Sequence, residues 1–283
     1  MATDNSEQIA EWNGVLGQRW VALQQDLERI VAPFGDAALK AAAPQPGERV
    51  IDIGCGCGGT SIEIARRVGA AGSVLGVDVS QPMLEVARAR AAQANSAHLA
   101  FRYGDASEAE LPANIDLLFS RFGVMFFSQP SPAFSHLRQS LRAGGRCVFV
   151  CWRAPRDNSW AMTPLSAART ALGVTQAPAD PQAPGPFAFA DEERLRGILS
   201  DAGFGAIAMQ RFDAAIAIGA TPRAAAESAV QVGPVARFVR EVGAEHLPII
   251  LEAVERALAP LAAPDGHVSL KGSTWVVSAT NPG

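Results

Sequence analysis

Residues 50–59 read Val50-Ile51-Asp52-Ile53-Gly54-Cys55-Gly56-Cys57-Gly58-Gly59. An apolar run enters a glycine cluster, and helical spacing follows it over 60–68 (TSIEIARRV). Glycine lets the main chain turn sharply and lets a ligand come close to it. Gly54, Gly56 and Gly59 satisfy G-x-G-x-x-G, the spacing of dinucleotide-binding turns. That spacing alone fits a nicotinamide dinucleotide as well as any other adenosine-bearing ligand. Asp52, two residues before the first glycine, separates the two. An anionic pyrophosphate gains nothing from a carboxylate there, whereas a cationic ligand group does.

Outward from this stretch, strand and helix patterns alternate over residues 49–152. Strand-like runs lie at 49–53, 73–77, 99–103, 115–119 and 146–152. Helical spacing occupies 60–68, 82–94 and 132–141. Ser80 is positioned to cap the second of these helices, with Pro82 in its first turn. Gly144-Gly145 reads as the stop of the third. Short apolar strands separated by helices imply a parallel sheet covered on both faces, with ligands at the carboxyl edge of the strands. Asp78 ends the second strand, where a carboxylate can accept both hydroxyls of a ribose. Gly104-Asp105-Ala106 ends the third, where an acid can accept from an exocyclic amine and the next N–H can reach a ring nitrogen.

These residues, read together, resemble the ordered motifs of class I S-adenosylmethionine-dependent methyltransferases. The carriers are VIDIGCGCGGTSIEIA, VLGVDVSQPMLEVARARA, YGDAS, IDLLFSRFGVMFF and LRAGGRCVFVCW, all within 49–152. The group most similar acts on small molecules and includes ubiquinone/menaquinone and antibiotic methyltransferases. FADEERLRGILSDAGF at 189–204 is similar to the helix before the last two strands of such enzymes. The resemblance implies an α/β fold: a seven-stranded, mostly parallel Rossmann-like sheet with the last strand antiparallel, plus helical lid insertions. It also implies S-adenosyl-L-methionine as cofactor and S-adenosyl-L-homocysteine as product. Asp52, Gly54, Cys55 and Gly56 would line the methionine half. Asp78 and Val79 would hold the ribose side, and Met83 would pack on adenine. Gly104, Asp105 and Ala106 would read the base. Ser120 would meet the methionine amine through its carbonyl, with Arg121 and Phe122 beside the transferred methyl and Trp20 nearby.

One methyltransferase domain over 1–283 is expected, with a helical cap at 1–45 and a cofactor core at 46–152. Lid segments are expected at 153–190 and 219–266. Residues 174–190 read as an extended Pro-rich loop, 191–202 as a helix, 207–218 as a strand, 221–262 as helical and 267–279 as a final strand. The aromatic and apolar residues Trp12, Met125, Phe126 and Trp160, with Arg153, are candidates for the acceptor pocket. Candidate catalytic groups are His246, His267 and Arg121, which the topology places at the ligand edge. For each histidine an ordinary surface or capping role is the simpler reading. Arg121 and Arg153 each have an alternative as an ion-pair partner of Asp52, Asp116 or Asp157. His98 and His136 read as structural and Tyr103 as packing. Cys55, Cys57, Cys147 and Cys151 read as small buried hydrophobes, with no metal site expected.

Composition narrows the partners. The chain has 283 residues, of which 48% are hydrophobic and 18% charged, and its net charge is −4. Such a chain can bury a core, and its charge argues against nucleic acid as substrate. No apolar run reaches the length of a membrane span, so no membrane partner is expected. The polar start MATDNSEQIA does not read as a targeting segment, which makes the cytoplasm the expected location. A homodimer is the default assembly. The expected reaction is methyl transfer to a small hydrophobic or aromatic metabolite of secondary metabolism, at oxygen or nitrogen ahead of carbon. The competing readings are an NAD(P)-dependent oxidoreductase and a non-catalytic S-adenosylmethionine-binding module.

Overall fold

The computed structural model describes residues 5–175, 180 and 182–283, apart from the side chain of residue 7. Three helices lead: α1 (Ser6–Asn13), α2 (Val15–Ala22) and α3 (Gln24–Ala42). The alternating core follows: β1 (Arg49–Ile53), α4 (Gly59–Val68), β2 (Ser73–Asp78), α5 (Gln81–Gln93) and β3 (Leu99–Tyr103). It continues through β4 (Ile115–Arg121), α6 (Pro130–Ser140) and β5 (Leu141–Trp152). Then come α7 (Ser159–Ala171), α8 (Glu192–Asp201), β6 (Gly205–Gly219), α9 (Pro222–Ala229), α10 (Gly233–Val242), α11 (Leu247–Leu258) and β7 (Val268–Thr280).

The strands form one seven-stranded sheet in the order β3-β2-β1-β4-β5-β7-β6. Parallel pairing joins β1 to β2 and β4, β2 to β3, and β4 to β5. The last strand reverses. Gly144 N–H donates to Asn281 O and Arg153 N–H to Ser273 O, so residue numbers on β7 fall as those on β5 rise. The near-continuous apolar runs of β1 and β4 are buried along almost their whole length, as a sheet covered on both faces requires.

The chain divides into two compact units. The first holds the described residues of Met1–Cys151, Gln182–Phe212 and Thr274–Gly283. Its core contains an aromatic cluster around the fully buried Phe134, whose ring lies 5.9 Å from Phe127, 5.5 Å from Phe149 and 6.0 Å from Phe189. The second holds the described residues of Trp152–Pro181 and Asp213–Ser273. Here α7, α9, α10 and α11 close over their own core, with Leu165, Phe238, Ile250 and Val254 at its centre. The two segments read from sequence as lids, 153–190 and 219–266, supply most of this second unit.

Several expectations change. The third core helix, expected over 132–141, spans Pro130–Ser140, but the strand expected at 146–152 starts already at Leu141, before the glycines read as the helix stop. Leu141 pairs with Ile115 and a register shift follows, so the glycines form an irregular start to β5 instead of a helix stop. Gly144 adopts φ +72°, which suits glycine at such a bend. Residues 159–171, inside the lid segment expected at 153–190, form α7 despite Pro164 in its interior. The stretch 221–262 breaks into three helices. Residues 176–179 and 181 of the Pro-rich loop lie outside the described residues.

Candidate active site

The glycine stretch folds as a turn between β1 and α4, within the first unit. Gly54, Gly56 and Gly58 all have positive φ, at 66°, 55° and 79°. Gly54 also packs backbone to backbone: a Cβ added there would lie 2.7 Å from Gly123 Cα. One added at Gly56 would lie 2.9 Å from Met83 Cε. The turn is therefore pressed between the loop after β4 and the first turns of α5.

Carboxylates surround this turn. Asp52, at the end of β1, is fully buried, and its Oδ2 accepts from Thr60 Oγ (2.7 Å) and Ser61 Oγ (2.6 Å). Its Oδ1 is buried and has no partner among the described residues. Burial pushes the Asp52 carboxyl up to about 6, against the lowering effects of Ser61, Thr60 and the Arg121 charge. Asp78, at the end of β2, accepts from the N–H of Gly56 (2.7 Å) and of Ser80 (2.8 Å). Burial raises its pKa too, and the main-chain donors oppose the rise. A third carboxylate, that of Glu28 on α3, reaches the start of α4, where it occupies the space a Cβ on Gly59 would fill. Arg90 holds Glu28 by two bonds (2.7 and 3.1 Å) and donates to Cys57 O (2.7 Å).

This arrangement selects against a phosphate. The N–H of Gly56, which a pyrophosphate would need, is already bonded to Asp78. The N-terminus of α4, the usual anion seat of such a fold, faces Glu28. The buried acceptor Asp52 Oδ1 asks instead for a donor or a cation. The residues present thus fit S-adenosylmethionine, whose sulfonium and ammonium are positive, better than a dinucleotide.

A pH dependence follows. Ligand-free Asp52 binds its proton below about pH 6, and a cation favours the ionised form. Affinity for S-adenosylmethionine should therefore hold from pH 8 to about 6.5 and fall up to tenfold per unit below about 6. The same raised value makes the ligand-free fold less stable as pH rises from about 4 to about 6, because the unfolded chain releases this proton more readily. Calorimetric titration across pH 5–8 checks the first effect, and urea melts check the second. Affinity that is flat with pH removes Asp52 from contact with the cation.

Base and acceptor residues are arranged as follows. Asp105 Oδ2 accepts from Asn5 Nδ2 (2.7 Å), and its Oδ1 accepts from Ser107 N–H (2.9 Å) and Oγ (2.8 Å). Gly104 N–H donates to Asp78 O (3.0 Å), which ties the ends of β2 and β3 together. Ala106 is buried beside them. Val79 O accepts from Asn13 Nδ2 (2.6 Å). Ser120 Oγ donates to Ile53 O (2.7 Å) and bridges β4 to β1. Phe122 has φ +61°, a strained conformation for an aromatic residue of the kind that collects at functional sites. Asp52 pairs in register with Phe119, so Arg121, two residues on, shares a sheet face with Asp52. The Arg121 stem lies against Gly35 of α3, and its guanidinium makes no hydrogen bond or ion pair among the described residues; Glu28, Asp52 and Asp36 act on it only through space. Trp12 meets Trp20 (5.7 Å) and Phe126 (5.6 Å) edge to face, so three of the expected aromatics form one cluster. Met125 and Cys55 are buried, and burial holds the Cys55 thiol well above its ordinary value.

The remaining candidates belong to the second unit. Arg153 pairs with Asp157 (2.9 Å) and Asp213 (3.1 Å), the ion-pair alternative. Trp160 lies 4.8 Å from Trp152 and donates to Asn158 Oδ1 (3.1 Å). His246 is half-buried and His267 exposed, each near an acidic neighbour: Glu245 at 3.9 Å and Asp265 at 3.2 Å. Among the described residues no cluster of His, Cys, Asp and Glu could hold a metal ion.

Ser80 does not cap α5 as expected. Its hydroxyl donates to Trp12 O (2.7 Å), the last turn of α1 offering a free carbonyl. Asn13 supplies the cap from outside, accepting from Gln81 N–H (3.0 Å). Asn5, Asn13, Glu28 and Arg90 were all invisible to sequence reading, since each acts on a partner 62 or more residues away. Thr60 and Ser61 carried a signal: two hydroxyls directly after a glycine turn that begins with an acid.

Residues 50–145 match the family of the methyltransferase domain. Aklanonic acid methyltransferase DauC of Streptomyces sp. (strain C5) is 33% identical over 42% of this chain and 54% of its own length. Nocamycin O-methyltransferase of Saccharothrix syringae is 29% identical over 47% of this chain and 48% of its own. The chain thus spans about half the length of these curated relatives. The YcgJ protein of Bacillus subtilis shares the fold with a TM-score of 0.59 at 19% identity, over 88% of this chain and 98% of that one. Among the described residues, no helix is long and apolar enough to cross a membrane. Sheet order, the acid-ringed glycine turn and the family match agree on a methyltransferase domain over residues 50–145, with the sheet of the class I S-adenosylmethionine-dependent fold.

Proposed function

We propose that this protein transfers the methyl group of S-adenosylmethionine to a small hydrophobic or aromatic acceptor, at oxygen or nitrogen in preference to carbon. The observation that carries the reading is Asp52 Oδ1, a buried acceptor with no partner beside a glycine turn whose Gly56 N–H is already engaged. When bound, the cofactor supplies an electrophilic methyl on a sulfonium. The chain's part is to hold it: Asp52 faces positive charge, Asp78 takes the ribose hydroxyls, and Asp105 takes the base. In-line displacement needs alignment of nucleophile, methyl and sulfur, and positioning supplies most of its acceleration. The Trp12–Trp20–Phe126 cluster supports an apolar acceptor, and the unpaired Arg121 guanidinium supports one with an acidic or phenolate group.

The second unit, built from the two expected lid segments around its own core, is assigned the choice of acceptor. His246 and His267 remain its candidate bases. Two relatives act on products of secondary metabolism by name, aklanonic acid and nocamycin, which supports an acceptor of that class. The test is transfer of labelled methyl from S-adenosylmethionine to a panel of phenols, amines and polyketide or quinone carbon acids. Label on a phenol or amine supports the reading. Label only on carbon corrects the atom. Tight cofactor binding with no transfer across the panel favours a non-catalytic module.

A further inference from the structure

The N-terminal segment carries a buried acceptor that the chain itself leaves unused. Asn5 directly precedes α1 and is only 8% exposed. Its Nδ2 donates to Asp105 Oδ2 at 2.7 Å. A carboxylate can only accept, so this bond fixes the amide's orientation, nitrogen toward Asp105 and oxygen away from it. Asn5 Oδ1 is then buried without a donor among the described residues. Asn5 stands at the N-cap position of α1, yet it makes no capping bond to the helix. At the other end of α1, Asn13 bonds Val79 O and the Gln81 N–H. The helix is thus tied at one end to the loop after β3 and at the other to the loop after β2, the two loops that flank an adenosine in the proposed reading.

We propose that Asn5 reads the nucleobase: its Oδ1 accepts one N–H of the adenine amino group while Asp105 Oδ2 accepts the other. The inference rests on the methyltransferase reading, which brings adenine to the end of β3. Asp105 has capacity for the second bond, because Ser107 fills its Oδ1 and Asn5 takes only one position on Oδ2. Two neighbouring acceptors suit an exocyclic amine, which donates twice. A 6-oxopurine presents an acceptor at the same point and meets two acceptors with no proton between them. Asn5 therefore sets selectivity for adenine over hypoxanthine.

The experiment is calorimetric titration of the full chain and of Asn5→Ala with S-adenosylhomocysteine and S-inosylhomocysteine. The wild-type chain should bind the adenosyl compound and discriminate against the inosyl one. Asn5→Ala should lose about five- to twentyfold in affinity for S-adenosylhomocysteine. Its affinity for S-inosylhomocysteine should hold or rise, so selectivity narrows. A variant that folds less well weakens both ligands alike, which leaves the ratio as the readout. An unchanged ratio overturns the proposal and reduces Asn5 to a prop for Asp105. Wild-type chain that binds neither compound overturns the cofactor reading instead.

Discussion

Gly54→Ala is expected to destabilise the fold by about 2–5 kcal/mol and to abolish cofactor binding. Two effects add. The residue sits at φ +66°, where a Cβ costs about 1–2 kcal/mol. That Cβ would also lie 2.7 Å from Gly123 Cα, which is backbone and cannot rotate away. The turn and the loop after β4 must separate, which adds about 1–3 kcal/mol. Separation moves Ile53 O from Ser120 Oγ and opens the site. Gly104→Ala is the control. Its added Cβ meets only Ala109 Cβ at 3.5 Å, ordinary contact, and its φ is not positive. Urea melts should show a change under about 1 kcal/mol for Gly104→Ala. Equal losses in the two variants would contradict the close-packed turn.

Asp78→Ala is expected to lower affinity for S-adenosylhomocysteine by about a hundredfold or more. The ribose bonds alone would give about ten- to a hundredfold. The structure raises that figure, because Asp78 also holds the N–H groups of Gly56 and Ser80 at 2.7 and 2.8 Å. Without the carboxylate these donors lose their partner and the glycine turn loses its anchor to β2. Asp78→Asn keeps one acceptor oxygen and should lose less. A folded Asp78→Ala chain with unchanged affinity, measured by calorimetry, removes Asp78 from the site.

The parts legible from sequence are those where local pattern and tertiary environment agree. β1 and β4 are near-continuous apolar runs, and a doubly covered parallel sheet demands such runs. Asp52, Asp78 and Asp105 were legible because each stands at a strand end, where topology alone fixes the edge. α7 lies inside an expected helical lid segment, but its bounds had no local signal: Pro164 opposes a helix there, and Ala161, Pro164, Leu165 and Ala168 form a buried face that outweighs its missing bond. The cap of α5 was misread because the rule is local and the partner is not. Trp12 O claims the Ser80 hydroxyl, and Asn13 takes its place. The Glu28–Arg90 pair has no local signal at all, since α3 and α5 meet only in the folded chain. His246 and His267 were chosen by topology, and the structure places each beside an acid of the second unit, the first half-buried and the second exposed.

The central claim is that the glycine turn receives a cation-bearing nucleoside and not a dinucleotide. Calorimetric titration of the intact chain at pH 8 with S-adenosylmethionine and, separately, with NADH tests it most directly. Micromolar, one-to-one binding of S-adenosylmethionine with no heat from NADH is the predicted result. Saturable binding of NADH, with none of S-adenosylmethionine, would contradict the claim.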